Sequence, residues 1–138
     1  VQQQLAAAGW RFVTVRHPSA VVSPFAGLAT GVQVMAGAVV QAGARVGEGS
    51  LVNTGALIDH DVQVGAYCHV APGAVVCGDV CIGAGCHIGA GAVLRQGVAL
   101  GDHVLVGAGA VVLKAVAGPA VVAGVPARAL SALTKEVR

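Results

Sequence analysis

Two short runs of this chain carry the side chains able to do chemistry. The run Asn53-Thr54-Gly55-Ala56-Leu57-Ile58-Asp59-His60-Asp61 sets an imidazole between two carboxylates; His69 follows nine residues later and His87 eighteen beyond that. A histidine beside an anion suits general base work, because negative charge raises imidazole basicity and fixes its tautomer. The same residues also describe a solvated histidine among surface acids, and residue types alone leave both readings open. His69 and His87 read equally well as polar residues on a strand, and His17 and His103 as structural or solvated. Of the four cysteines, Cys68 and Cys86 stand eighteen apart while Cys77 and Cys81 flank one turn. None forms a C-x-x-C pair or a zinc spacing, so buried reduced thiols are the expectation, with no metal site.

What must position these groups is a repeat of six. Sixteen aliphatic residues recur at that spacing without a miss, from Val22, Leu28 and Val34 through Val52, Ile58, Val64, Val70 and Val76 to Val106 and Val112. Two residues before each stands a small or β-branched residue, among them Ala20, Val62, Cys68, Ala74, Cys86 and Ala110. Period six is neither helical nor a simple alternation, and each six reads as one short strand plus one corner, with both columns pointing inward. Three sixes close a coil of eighteen. The repeat therefore predicts an all-β parallel β-helix of five coils, stacked about 4.8 Å apart. Gly47, Gly65, Gly83, Gly89, Gly101 and Gly107 each follow an inward aliphatic residue, where tight coiling suits a missing Cβ.

Composition narrows the function. The chain has 138 residues, 56% hydrophobic and 10% charged, with a formal charge of +2. Its mean hydropathy of +0.80 raises the question of a membrane span. Prolines, glycines and glutamines interrupt the longest uncharged stretch, between Arg16 and Arg45, before it reaches the roughly 18 residues a span requires. No Lys/Arg cluster resembles a nucleic-acid footprint. With no signal peptide and no anchor evident, a reducing cytoplasm is the expected setting.

Residues 1–16 stand outside the repeat: Val1 to Ala8 reads as a helix closed by Gly9, and Trp10 to Val15 as a short strand. A helix followed by a strand is the tail of an α/β unit, so this segment is expected to be the remnant of an N-terminal domain. Residues 17–128 form the β-helix. Residues 129–138 have helix-forming composition and are expected to cap its open end, where an uncovered strand edge would be sticky.

Residues eighteen apart must stack. His69 stacks with His87, Asp61 with Asp79, and Pro72, Ala90 and Ala108 form a smooth stripe. Gly78 lies over His60, leaving a notch above the imidazole. His60 follows an inward position by two and His69 precedes another by one, half a coil away. They cannot face each other within one prism, so a site using both must lie between subunits, and cyclic symmetry of a three-sided prism predicts three such sites.

The segment Leu51 to Arg128, with Ile58-Asp59-His60-Asp61, Cys68-His69-Val70-Ala71-Pro72-Gly73-Ala74, Ile88-Gly89-Ala90-Gly91-Ala92 and Gly124-Val125-Pro126-Ala127-Arg128, resembles the left-handed β-helix acyltransferases. Within them it is similar to the sugar acetyltransferase branch that includes bacillosamine and perosamine N-acetyltransferases and the sialic acid O-acetyltransferase. The resemblance implies left-handed coiling, a homotrimer and acetyl-CoA in the groove between prisms. It implies His60 as general base with Asp61 as its carboxylate partner, Asn53 on the substrate side, and His69, Gly78, Ala90 and Ala108 contacting acetyl-CoA. The family's N-terminal α/β domain, which binds the nucleotide of the acceptor, is represented here by its last helix and strand. The implied reaction is acetyl transfer to the amino group of a nucleotide-activated amino sugar by direct attack. The alternatives are O-acetylation of a sugar hydroxyl, a γ-class carbonic anhydrase and a non-catalytic scaffold trimer. The anhydrase needs three imidazoles on zinc, two of them five residues apart, whereas His60, His69, His87 and His103 are spaced by 9, 18 and 16.

Overall fold

The computed structural model describes residues 1–130. From Val21 onward nearly every strand is two residues long, and through Val111–Val112 each pairs in parallel with the strand eighteen residues away; Ala120–Ala123 pairs with Val104–Val106 at an offset of sixteen. Three sheets result. Face A has eight strands, running Val15–Arg16, Gln33–Val34, Leu51–Val52, His69–Val70, His87–Ile88, Val104–Val106, Ala120–Ala123 and Arg128–Ala129. Face B has six, from Val21–Val22 through Leu57–Ile58 to Val111–Val112, and face C has five, from Gly27–Leu28 through Gln63–Val64 to Ala99–Leu100. The chain visits B, C and A in turn, so the cross-section is a triangle with three corners. This is the parallel β-solenoid that the repeat predicts.

Both inward columns are where the period places them. Ile58, Val76, Ile88, Leu94 and Val106 are fully buried, as are Ala56, Val62, Ala74, Val80 and Ala92. The ends are more loosely covered, since Ala20, Val22, Ala26 and Leu28 in the first coil and Val116 and Ala127 near the last are partly buried. Among the described residues, one polar side chain enters the core. Ser50 donates through Oγ to the Gly65 carbonyl at 2.9 Å and accepts the Cys68 N–H at 2.9 Å. One and two coils further on, the Cys68 and Cys86 thiols donate to the Gly83 and Gly101 carbonyls, each at 3.1 Å. The neighbouring Cys86 and then burial raise the Cys68 pKa, which keeps this sulfur in the S–H form that the bond needs.

Corners use glycine for two separate reasons. A Cβ at Gly65 would lie 2.6 Å from the Gly83 carbonyl carbon, so the residue after an inward aliphatic must let the next coil approach. The third residue after that aliphatic has positive φ, as at Gly91 with φ 66°. Four residues other than glycine occupy this second kind of position: Asp61, Tyr67, Asp79 and His103. The sequence reading identified the first column of glycines and missed the second.

The ends differ from expectation in detail. The helix spans Gln2–Ala7, and Gly9 has φ 89°. The strand expected over Trp10 to Val15 forms only at Val15–Arg16, where the Val15 and His17 N–H groups find the Val32 and Val34 carbonyls. That strand is a rung of face A, paired with Gln33–Val34. At the other end, Arg128–Ala129 is a strand antiparallel to Val122–Ala123, so the expected helix does not begin at residue 129. The rest of that expectation, residues 131–138, lies outside the described residues. No helix among the described residues is long and apolar enough to cross a membrane.

Replacing the fully buried Ile58 with Asp puts an unpaired carboxylate into this narrow core, at a cost of several kcal/mol. Ile58→Asp is expected to lose its cooperative thermal transition, followed by circular dichroism at the strand band. An unchanged melting temperature would mean that the inward register is misassigned.

Candidate active site

His60 sits at the corner between faces B and C, in the turn Asp59-His60-Asp61-Val62. Its backbone N–H donates to Asp59 Oδ1 at 2.8 Å, which pins the turn. Asp61 takes up a left-handed backbone with φ 59°, a conformation that Asp tolerates better than most residues. Its carboxylate is thereby aimed back at the ring, with Oδ2 3.0 Å from His60 Nδ1. Asp61 Oδ1 lies against Gly43 one coil below, where any side chain would collide with it. The Nδ1–H of a neutral ring donates to this carboxylate, leaving Nε2 with its lone pair.

Nε2 points toward Gly78. A Cβ there would lie 2.5 Å from Nε2, and Gly78 is buried beneath the ring while His60 itself stays exposed. The notch expected above His60 is therefore filled by the imidazole. The hydrogen bond that Asp61 accepts raises the His60 pKa most; desolvation opposes it, and the charges of Asp59, Asp61 and Asp79 add to the rise. His60, Asp61 and Asp79 offer ligand atoms that all lie within 4.8 Å of one another, so they are the described residues best placed to hold a cation. All three are exposed, and Asp61 is already engaged by the imidazole.

The second cluster is on face A. His69 pairs in register with His87, and the rings meet edge to face with centroids 4.8 Å apart. Asn53, one coil earlier at the corner between faces A and B, places its side-chain amide 3.0 Å from His69 Nε2. This contact was not read from the sequence. Its signal was there, since Asn53 and His69 flank Val52 and Val70, which are themselves partners in the ladder. Pro72, Ala90 and Ala108 stack as expected at the same A/B corner, all exposed.

The predicted residues thus fall into two groups. His60, Asp61 and Gly78 share the B/C corner; Asn53, His69, Ala90 and Ala108 share face A and the A/B corner. Face A lies across the prism from the B/C corner, so one chain cannot bring its own two groups together. A groove of about 560 Å³ between Val112–Ala117 and Pro126–Ala129 is lined by none of these residues.

A triangular solenoid of sixes with a carboxylate-held imidazole at one corner defines a class. The pattern described as "Bacterial transferase hexapeptide (six repeats)" matches residues 43–78, 61–96 and 79–114, and the chain belongs to that family. Within it, the fold is similar to the acetyltransferase domain of PglB from Neisseria gonorrhoeae FA1090 in complex with acetyl coenzyme A. That match has 43% identity and a TM-score of 0.90 and covers 94% of this chain and 63% of the other. It is similar to the H141N mutant of perosamine N-acetyltransferase from Caulobacter crescentus in complex with CoA and GDP-perosamine, at 38% identity, TM-score 0.90, and 94% and 63% coverage. WeeI from Acinetobacter baumannii AYE matches at 27% identity with TM-score 0.89, over 94% of this chain and 65% of that one. The chain spans a little under two-thirds of the length of these relatives. Comparison with curated proteins gave no match.

Removing the Asp61 charge while keeping its shape should return His60 toward ordinary imidazole behaviour. In Asp61→Asn, the His60 pKa read by NMR titration is expected to fall, because a neutral amide no longer favours imidazolium. An unchanged titration would show that the Nδ1 contact does not form in solution.

Proposed function

We propose that the protein is an acetyl-CoA-dependent acetyltransferase acting on the amino group of a nucleotide-activated amino sugar. The observation that carries this reading is the orientation of His60: Asp61 holds Nδ1, and Nε2 is the free nitrogen. Support comes from the PglB domain, whose structure contains acetyl coenzyme A, and from the perosamine N-acetyltransferase variant, whose structure contains CoA and GDP-perosamine.

The steps follow from the geometry. The neutral amine of the sugar attacks the thioester carbonyl while His60 Nε2 takes its proton, and Asp61 stabilises the imidazolium that forms. The carbonyl oxygen gains negative charge. The Gly78 N–H, which has no acceptor among the described residues, donates to it. Collapse of the tetrahedral intermediate breaks the carbon–sulfur bond, and the CoA sulfur leaves with the proton from His60. No covalent acyl-enzyme forms. The pantetheine arm lies along Pro72, Ala90 and Ala108 beside His69, where short side chains leave room for it.

Because His60 and the alanine stripe sit at different corners of one prism, each site is built from the B/C corner of one chain and face A with the A/B corner of its neighbour. Three chains close three such interfaces. The four free cysteines are compatible with a reducing cytoplasm.

His60→Ala is expected to keep acetyl-CoA binding and lower single-turnover acetyl transfer by about 10² to 10⁴, the usual contribution of a positioned base. The assay uses the full-length protein with acetyl-CoA and a panel of nucleotide amino sugars. Full turnover in the variant, with chemistry rate-limiting, would remove His60 from the role. Light scattering at micromolar concentration is expected to return the mass of three chains, and a monomer mass would leave neither half-site complete.

A further inference from the structure

The side-chain amide of Asn53 has both ends engaged inside the protein. Its Oδ1 accepts the Thr54 backbone N–H at 2.7 Å and the Thr54 hydroxyl at 3.4 Å. A backbone N–H can only donate, so this contact determines which end of the amide is oxygen. The other end, Nδ2, is then the atom 3.0 Å from His69 Nε2. An amide NH₂ in this position donates as well, and Nε2 must meet it with a lone pair. A neutral His69 ring consequently carries its hydrogen on Nδ1, the tautomer that free imidazole side chains favour less.

The surroundings keep the ring neutral. Burial, and then the nearby His87, lower the His69 pKa. Protonating Nε2 would also set two donors against each other. Among the described residues, no hydrogen-bond partner accepts from Nδ1.

We propose that Asn53 is a positioning residue that acts through His69, holding it as the neutral Nδ1–H tautomer so that Nδ1 presents a hydrogen-bond donor to an uncharged carbonyl oxygen. His69 is on the outward side of face A, one residue before the inward Val70 and next to the corner that carries Pro72 and Ala90. A neutral donor beside an apolar stripe suits an amide or thioester carbonyl better than a phosphate. Naming that carbonyl as one of acetyl-CoA rests on the function proposed above; the tautomer itself does not. Asn53 then serves the donor substrate indirectly, and no contact of its own with the acceptor sugar is required.

The experiment is long-range proton–nitrogen correlation NMR on the ¹⁵N-histidine-labelled chain, with the His69 signals assigned by their loss in His69→Gln, combined with acetyl-CoA calorimetry. Wild type is expected to show a protonated Nδ1 and an unprotonated Nε2 at neutral pH. Asn53→Asp, which puts an acceptor before Nε2, is expected to invert that pattern. Asn53→Ala is expected to move the ring to mainly Nε2–H and weaken acetyl-CoA roughly twofold to tenfold, the loss of one neutral hydrogen bond, at unchanged melting temperature. An Nε2–H ring in wild type, or an Nδ1–H ring that persists in Asn53→Ala, would overturn the proposal. If the tautomer shifts as expected but wild type binds no acetyl-CoA, the positioning role stands and the acetyl-CoA reading falls.

Discussion

The fold depends on the backbone hydrogen bonding of each coil to the next, at an offset of eighteen residues as far as Val112 and of sixteen at the last coil. The offset holds from Val21↔Val39 to Val93↔Val111 on face B and recurs on the other two faces. It leaves no freedom of register. A residue's vertical neighbours are therefore fixed by arithmetic, and the prism can be so narrow because its core side chains come in columns of Val, Ile, Leu and Ala. The short strands have little stability alone, and their long stacks carry the fold.

That constraint explains what could be read without coordinates. The inward columns, the three faces, the His69 and His87 pair and the stripe of Pro72, Ala90 and Ala108 are all consequences of counting by six or eighteen. Counting also separates His60 from His69, and the faces on which they lie bear this out. What counting misses is side-chain direction and backbone hand. The positive φ at Asp61 aims its carboxylate at His60, and nothing in the period distinguishes that turn from its neighbours. Asn53 and His69 are sixteen apart, off the stacking number, and meet because one lies just past a rung and the other just before the next. The two ends of the chain lack the repeat altogether. Composition there suggested a longer N-terminal strand and a helix from residue 129, whereas ladder pairing decided both Val15–Arg16 and Arg128–Ala129.

The two histidine environments have opposite electrostatics. At the B/C corner, Asp59, Asp61 and Asp79 make His60 more basic than an ordinary imidazole; on face A, burial and His87 make His69 less so. A single scaffold thus presents one ring suited to accepting a proton and another suited to staying neutral. The difference arises from place in the coil, since an exposed corner holds the Asp61 carboxylate against the ring while a face buries the ring and stacks it on another.

The bulky corner residues show a further regularity. A side chain built on Gly78 would strike the His60 ring, one on Gly49 the Tyr67 ring, one on Gly85 the His103 ring, and one on Gly43 the Asp61 carboxylate. Each large residue leans on a glycine one coil away. Mutational tolerance at these corners is consequently a property of pairs: shrinking the partner eighteen residues off relieves the collision at the glycine, while Gly43, Gly49 and Gly85 keep a positive φ that strains any other residue. At Gly78, whose φ is not positive, drift is coupled to residue 60, and covariation at a separation of eighteen would record which of the two corners held the larger side chain.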